Sequence, residues 1–424
     1  MKKKEQEKHE SLALVKDRLE RLSSVREQTE EWSDSEQEEE DQSCVFKTME
    51  GLEPFFLANR FFPVEFSRLI VKEELLLEDL NRVIETIDKD GFSPSPYLYV
   101  REEAEFVDAA ALALRLMLMV GEYINKTLLK SDTKWTELLS KVSMTANKAY
   151  EFILKNAFSD KQGIRWAGTE LHAIKKTSYC NVYFTQEAVR SLVYCVGQKE
   201  PFSIGEDEKT IGVIKDACRW LLARVDDNTI FGDEGKTKGE INNTFYGLNG
   251  LFESYNYLEE RQKKVVLDVF TRFVEKVNRG EEELSWLNYI DVPLKGYPKP
   301  IIYDDRSGSG NILTVLCKGR DIFRDESVID KRFFEILALW YRSLVNQIDP
   351  NTLLWDQGRF LICLTARAIE GLLYFSKYGE PVKYELSEQQ MLEALKKTLA
   401  SSQIQQIFLR EISKLGGDLK EENK

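Results

Sequence analysis

Histidine is almost missing from this chain. Among 424 residues there are two, His9 and His172. Zinc sites built on His and Cys need several such ligands at fixed spacing, and His172 has only Cys180 near it, so no metal site is expected. The six cysteines (Cys44, Cys180, Cys195, Cys218, Cys317, Cys363) contain no CxxC pair. Five lie in or beside apolar helical segments, where cysteine acts as a small hydrophobe, which points to a reducing, cytoplasmic setting. Positive charge is also short. With a net charge of −13 the chain lacks the basic footprint of a nucleic-acid binder and would be repelled by an anionic membrane. No long apolar run exists: Ala109 to Val120 is the longest and carries Arg115, whereas a membrane span needs about 20 apolar residues. Met1 to Glu10 is charged throughout, so no secretory leader is expected.

Catalytic signatures are missing too. Gly308-Ser309-Gly310-Asn311 lacks the Lys-Ser/Thr of a phosphate-binding loop. There is no GxSxG elbow and no Ser/His/Asp set. No cofactor is expected.

What is present is helical periodicity. Leu12, Val15, Leu19, Leu22 and Val25 form the seam of an amphipathic helix over residues 1–29, which can dock on the body or meet a partner protein. Glu30 to Asp41 is acidic and apolar only at Trp32, which predicts a solvated linker over 30–45. The main domain is expected over 46–415, with a short disordered tail at 416–424.

Within that domain one pattern recurs five times at roughly 60 to 70 residues. A long amphipathic helix ends in an Asp/Gly/Asn turn, an aromatic loop follows, and a second helix carries small residues on its apolar face. These second helices are Phe106 to Glu122 with four alanines, Phe184 to Val196 with Ala188, and Asn243 to Leu258 with Gly247 and Gly250. The set continues with Ser307 to Cys317, holding Gly308 and Gly310, and Arg359 to Phe375, holding Ala366, Ala368 and Gly371. Phe61 to Val71 with Glu73 to Ile87 offers a degenerate first pair, and Met391 to Ile412 a last helix. Helices with small residues can crowd near an axis, and those with broad apolar stripes suit an outer layer. The expected fold is therefore all-α, hairpins closing as an (α/α)5-6 toroid, with an open solenoid as the rival.

The stretch Trp166 to Gly197, WAGTELHAIKKTSYCNVYFTQEAVRSLVYCVG, resembles the repeat of prenyltransferases, terpenoid cyclases and related toroids. The resemblance spans about residues 55–413 as a pattern, and it implies ligands at the N-termini of the inner helices. It does not carry the activity. The zinc ligands of prenyltransferases and lanthionine cyclases are missing, and Asp226-Asp227 and Asp304-Asp305 lack the first Asp of a cyclase DxDD.

Loops at that end supply the candidates. Asp304, Asp305, Asp233 and Asp356 are candidate catalytic carboxylates. Trp166, Glu170, Tyr183, Trp286, Tyr303, Arg306, Trp355 and Arg359 are candidate ligand contacts. Aromatics with carboxylates can stack on sugars and hydrolyse glycosidic bonds, using two carboxyls about 5 to 9 Å apart. The same residues can equally be helix caps and barrel plugs. The leading expectation is a non-catalytic scaffold that binds another protein through its N-terminal helix or the mouth. A carbohydrate-active enzyme and an isoprenoid-binding toroid are the alternatives, the last requiring an apolar central cavity.

Overall fold

The computed structural model describes residues 2–29, 32, 45–92, 106–127, 132–167, 181–198, 202, 204–225, 241–277, 288–289, 302–303, 306–349, 352–355 and 361–379. Contacts divide the chain into one compact unit, Met1–Glu380, and a second, Pro381–Lys424. All described residues belong to the first, so the expected last helix and tail lie outside them.

Twelve α-helices are described: α1 (Lys2–Thr29), α2 (Val45–Phe61), α3 (Glu73–Asp90), α4 (Val107–Lys126), α5 (Thr133–Lys155), α6 (Asn181–Cys195), α7 (Asp207–Ala223), α8 (Ile241–Glu253), α9 (Glu260–Val277), α10 (Arg306–Ile322), α11 (Lys331–Asn346) and α12 (Leu361–Tyr378). The even-numbered helices form a ring, each packed on the next, and α12 packs back on α2. Closure rules out the open solenoid. The odd-numbered helices lie outside, so this unit is a six-pair α/α toroid.

Residue size explains the layering. From Val107 to Val120 every residue of α4 is buried, as a helix surrounded on all sides requires. By contrast α9 buries one stripe, Val266, Val269, Phe270, Phe273, Val274 and Val277, and turns its charges outward. Where α10 crosses α12 there is no room for side chains: a Cβ on Gly310 would meet the Arg367 carbonyl oxygen at 2.5 Å, and one on Gly371 the Gly310 oxygen at 2.8 Å.

Two findings differ from the sequence reading. Residues 62–71 form turns rather than a helix, so the first hairpin is α1 with α2. The α1 seam is covered: Leu12, Val15, Leu19 and Leu22 are buried where α1 packs on α12 and α2. Arg26 forks onto the fully buried Asp79 of α3 at 2.8 to 3.1 Å, and Trp32 donates to the same carboxylate at 2.8 Å. The turn after α5 is also more ordered than a plain loop. It is an antiparallel hairpin of β1 (Phe158–Asp160) and β2 (Gly163–Arg165), with Gly163 at φ 135° against the Asp216 carbonyl. Before α10, β3 (Asn288–Tyr289) pairs with β4 (Ile302–Tyr303).

Candidate functional site

The tryptophans proposed to stack on a ligand do something else. Trp166 is fully buried, and its indole Nε1 donates to the Ile153 carbonyl at 2.7 Å. Trp355 is also buried and donates to the Leu344 carbonyl at 2.8 Å. Each acceptor stands two residues before the end of an outer helix, where carbonyls have no intrahelical partner. Each tryptophan's backbone N–H donates to a threonine Oγ1 at the fifth position of the following inner helix, Thr185 at 3.2 Å and Thr365 at 3.3 Å. Two distant repeats thus use one device to join outer helix, turn and inner helix. Both residues are buried and close helix ends.

Of the other candidates, Tyr183 is half-buried at the start of α6, its ring 5.1 Å from that of Tyr246 on α8. Tyr303 and Arg306 are described as backbone only, in β4 and at the first residue of α10. Asp233, Asp304, Asp305, Asp356, Glu170, Trp286 and Arg359 lie outside the described residues.

The axis holds what the sequence reading missed. Glu187 of α6 takes Arg115 of α4 at 2.6 Å, Arg190 at 3.3 Å and Arg367 of α12 at 3.9 Å. Arg190 also binds Glu370 at 2.7 Å, Arg367 binds it at 3.2 Å, and Arg115 reaches Glu53 of α2 at 3.0 Å. Four inner helices are thus stitched together by interleaved arginines and glutamates. Burying ions costs several kcal/mol each unless they are paired and hydrogen-bonded, which explains the interleaving. Burial alone would raise the Glu187 carboxyl, but the three arginines outweigh it and hold the group well below the usual carboxylate range. This layer fills the axis with charge. Among the described residues no apolar central cavity of the kind isoprenoid binding demands is seen.

Toward the N-terminal ends of the inner helices the situation reverses. Asp108, second residue of α4, is buried and accepts the Ala109 N–H at 2.9 Å, and no ion pair to it occurs among the described residues. Burial, helped by repulsion from Glu187, raises its carboxyl from 3.8 to about 7. Burial and the charges of Asp108 and Glu187 likewise push the Tyr183 hydroxyl well above its ordinary value. A carboxyl raised by burial thus stands within electrostatic reach of Tyr183 and of Glu187, whose own carboxyl is lowered. In the sequence the one outward sign is Asp108 and Arg115 in the otherwise apolar first part of α4.

Among the described residues no group of three possible metal ligands occurs, and no helix is long and apolar enough to cross a membrane. Cys195, Cys218 and Cys317 are buried, and burial raises each thiol, the first two to about 12, so none is poised to react.

No family model matches the chain, and no curated protein matches it. Solved structures do. A GH76A alpha-1,6-mannanase from Salegentibacter sp. HEL1_6 superposes with a TM-score of 0.51 at 14% identity, covering 86% of this chain and 98% of that one. A glycoside hydrolase from family 105 of C. acetobutylicum ATCC 824 follows at a TM-score of 0.45 and 13% identity, covering 87% and 99%. The likeness is one of fold. The mannanase supports the toroid fold and not the prenyltransferase-type resemblance.

Proposed function

We propose that the chain acts on a carbohydrate at the mouth formed by the N-termini of the inner helices, with Asp108 as proton donor to a glycosidic oxygen. The observation that carries this is the Asp108 carboxyl, held protonated up to about pH 7 by burial and by the ionised Glu187. A glycosidase needs one such acid and a second, ionised carboxylate, and environments that push two carboxyls apart assign those roles. Glu187 itself is too tightly clamped by arginine to attack or to take a proton. Its part is to keep Asp108 protonated, and the second reacting carboxylate belongs to the rim, where Asp233, Asp304, Asp305 and Asp356 are the candidates. Tyr183 and Tyr246 offer half-buried ring faces for a sugar. The toroid neighbour's action on alpha-1,6-mannan agrees with this reading and makes that polymer the first substrate to try. Fold alone does not carry an activity.

The test is release of reducing ends from a panel of polysaccharides that includes alpha-1,6-mannan. Wild type is expected to cleave at least one, with a rate falling above about pH 7 as Asp108 ionises. Asp108→Asn should lower kcat by about 100-fold or more. A wild-type protein that neither cleaves nor binds any glycan would end the reading. Full activity in Asp108→Asn would remove Asp108 from it.

A further inference from the structure

A second opening lies at the other end of the ring, where the inner helices terminate. It is a cavity of about 310 Å³ walled by Arg60, Tyr194, Glu253, Lys318, Tyr374 and Lys377, among others. These residues come from the last turns of α2, α6, α8, α10 and α12, on the side away from Asp108.

The charges there do not cancel. Each carboxylate is engaged: Glu253 by Lys318 at 2.5 Å and by the Tyr374 hydroxyl at 3.2 Å, Asp321 by Arg324 at 3.5 Å. Two cations are not. Arg60 has only a loose 3.8 Å pairing with Glu122, which also binds Lys126 at 3.4 Å. Lys377 has no ion pair among the described residues. Helix C-termini favour cations, which accounts for basic residues at this end. It does not account for where their heads sit. Arg60 lies 4.1 Å over the Tyr194 ring and Lys377 4.1 Å over that of Phe61, and neither donates to a terminal carbonyl among the described residues. Their N–H groups are left for the cavity. Burial and then repulsion from Arg60 lower the Lys377 ammonium, as expected of two cations sharing one wall.

We propose that this cavity is a binding site for a small organic anion, whose carboxylate or phosphate sits between Arg60 and Lys377. The anion adds counter-charge where Arg60 has one loose pairing and Lys377 has no ion pair among the described residues, and the guanidinium offers it a planar fork. The tyrosine faces beside them accommodate the ligand's body. The site is independent of the carbohydrate reading, because it uses the opposite end of the ring and none of its residues.

Calorimetric titration of the full chain decides it, with benzoate and inorganic phosphate as probes and benzyl alcohol as the neutral control. At least one anion should bind with a Kd of about 1 mM or tighter, weakening as salt rises. Benzyl alcohol should not bind. Lys377→Gln and Arg60→Gln should each weaken the anion about tenfold or more, and Lys377→Arg should retain it. Neither Arg60 nor Lys377 is deeply buried, and thermal melts followed by circular dichroism verify that the variants fold. Benzoate against phosphate tells a carboxylate site from a phosphate site. Failure of both anions, equal binding of the alcohol, or unchanged binding in both glutamine variants would overturn the proposal.

Discussion

Asp108 and Glu187 are both buried acids on the inner ring, on helices that touch, and they end in opposite states. Glu187 faces three guanidinium groups and stays ionised. Asp108 accepts a backbone N–H and feels Glu187 more than Arg367, and burial raises its carboxyl to about 7. Residue type does not separate them. What separates them is depth along the axis: arginines from α4, α6 and α12 converge on the middle layer, and of these only Arg367 acts on Asp108, too weakly to offset its burial. The middle layer therefore holds the ring together, and the mouth is left chemically reactive.

The largest effect should come from breaking the middle layer. Glu187→Gln leaves Arg115, Arg190 and Arg367 facing one another with only Glu53 and Glu370 to balance them. Removing one partner of a buried pair costs about 3–5 kcal/mol, which a shifted urea midpoint would register. A loss under about 1 kcal/mol would mean that the network is solvated and the axis is open. The same substitution should lower the Asp108 pKa, since one source of its repulsion is gone.

The next effect concerns the mouth, and its sign can be worked out. The Asp108 pKa is raised on folding, so its contribution to stability is complete below the ordinary value of 3.8 and is lost as pH climbs through about 7. Asp108→Asn should thus gain on wild type across that window by up to about 4 kcal/mol. Glu187, Glu253 and Glu370 behave oppositely. Despite burial their carboxyls are lowered by neighbouring cations, Glu253 to about 2, so their contribution is complete above 4.5 and is lost on acidification. Melting temperatures from pH 3 to pH 8 for wild type and Asp108→Asn would separate the two limbs. Parallel curves would show that Asp108 ionises normally.

The toroid was legible in the sequence because it is written in residue size. Alanines on α4, and Gly310 opposite Gly371, mark contacts that admit no larger side chain, and that signal needs no long-range information. The first pair was misassigned for a local reason: Phe62 and Phe66 are apolar and helically spaced, yet Pro63 stands between them and the segment turns. The axis was far harder to read. Arg115 alone looks like a blemish in an apolar run, and Glu187, 72 residues away, like any helical glutamate. Only ring closure brings them together. Turn aromatics were misleading for a related reason, because a tryptophan that caps a helix and one that stacks on a sugar can follow the same kind of Asp-bearing polar turn.

That ambiguity gives the smallest and most discriminating prediction. Trp166→Phe and Trp355→Phe each keep a ring in place and delete one indole N–H, leaving the Ile153 carbonyl without that donor and the Leu344 carbonyl with the 3.3 Å bond from the Gln347 N–H. An orphaned buried acceptor costs about 1–3 kcal/mol, and the second donor at Leu344 should hold the Trp355→Phe loss to the lower end of that range. Neither should alter the pH dependence set by Asp108, since neither ring approaches the axis network among the described contacts. If Trp166→Phe instead abolished glycan cleavage at unchanged stability, the capping role assigned to it would be wrong and the mouth would extend down to that turn. If Trp355→Phe instead lost more stability than Trp166→Phe, the repeats would be equivalent in outline only, and the device that joins outer to inner helix would have to be sought separately in each.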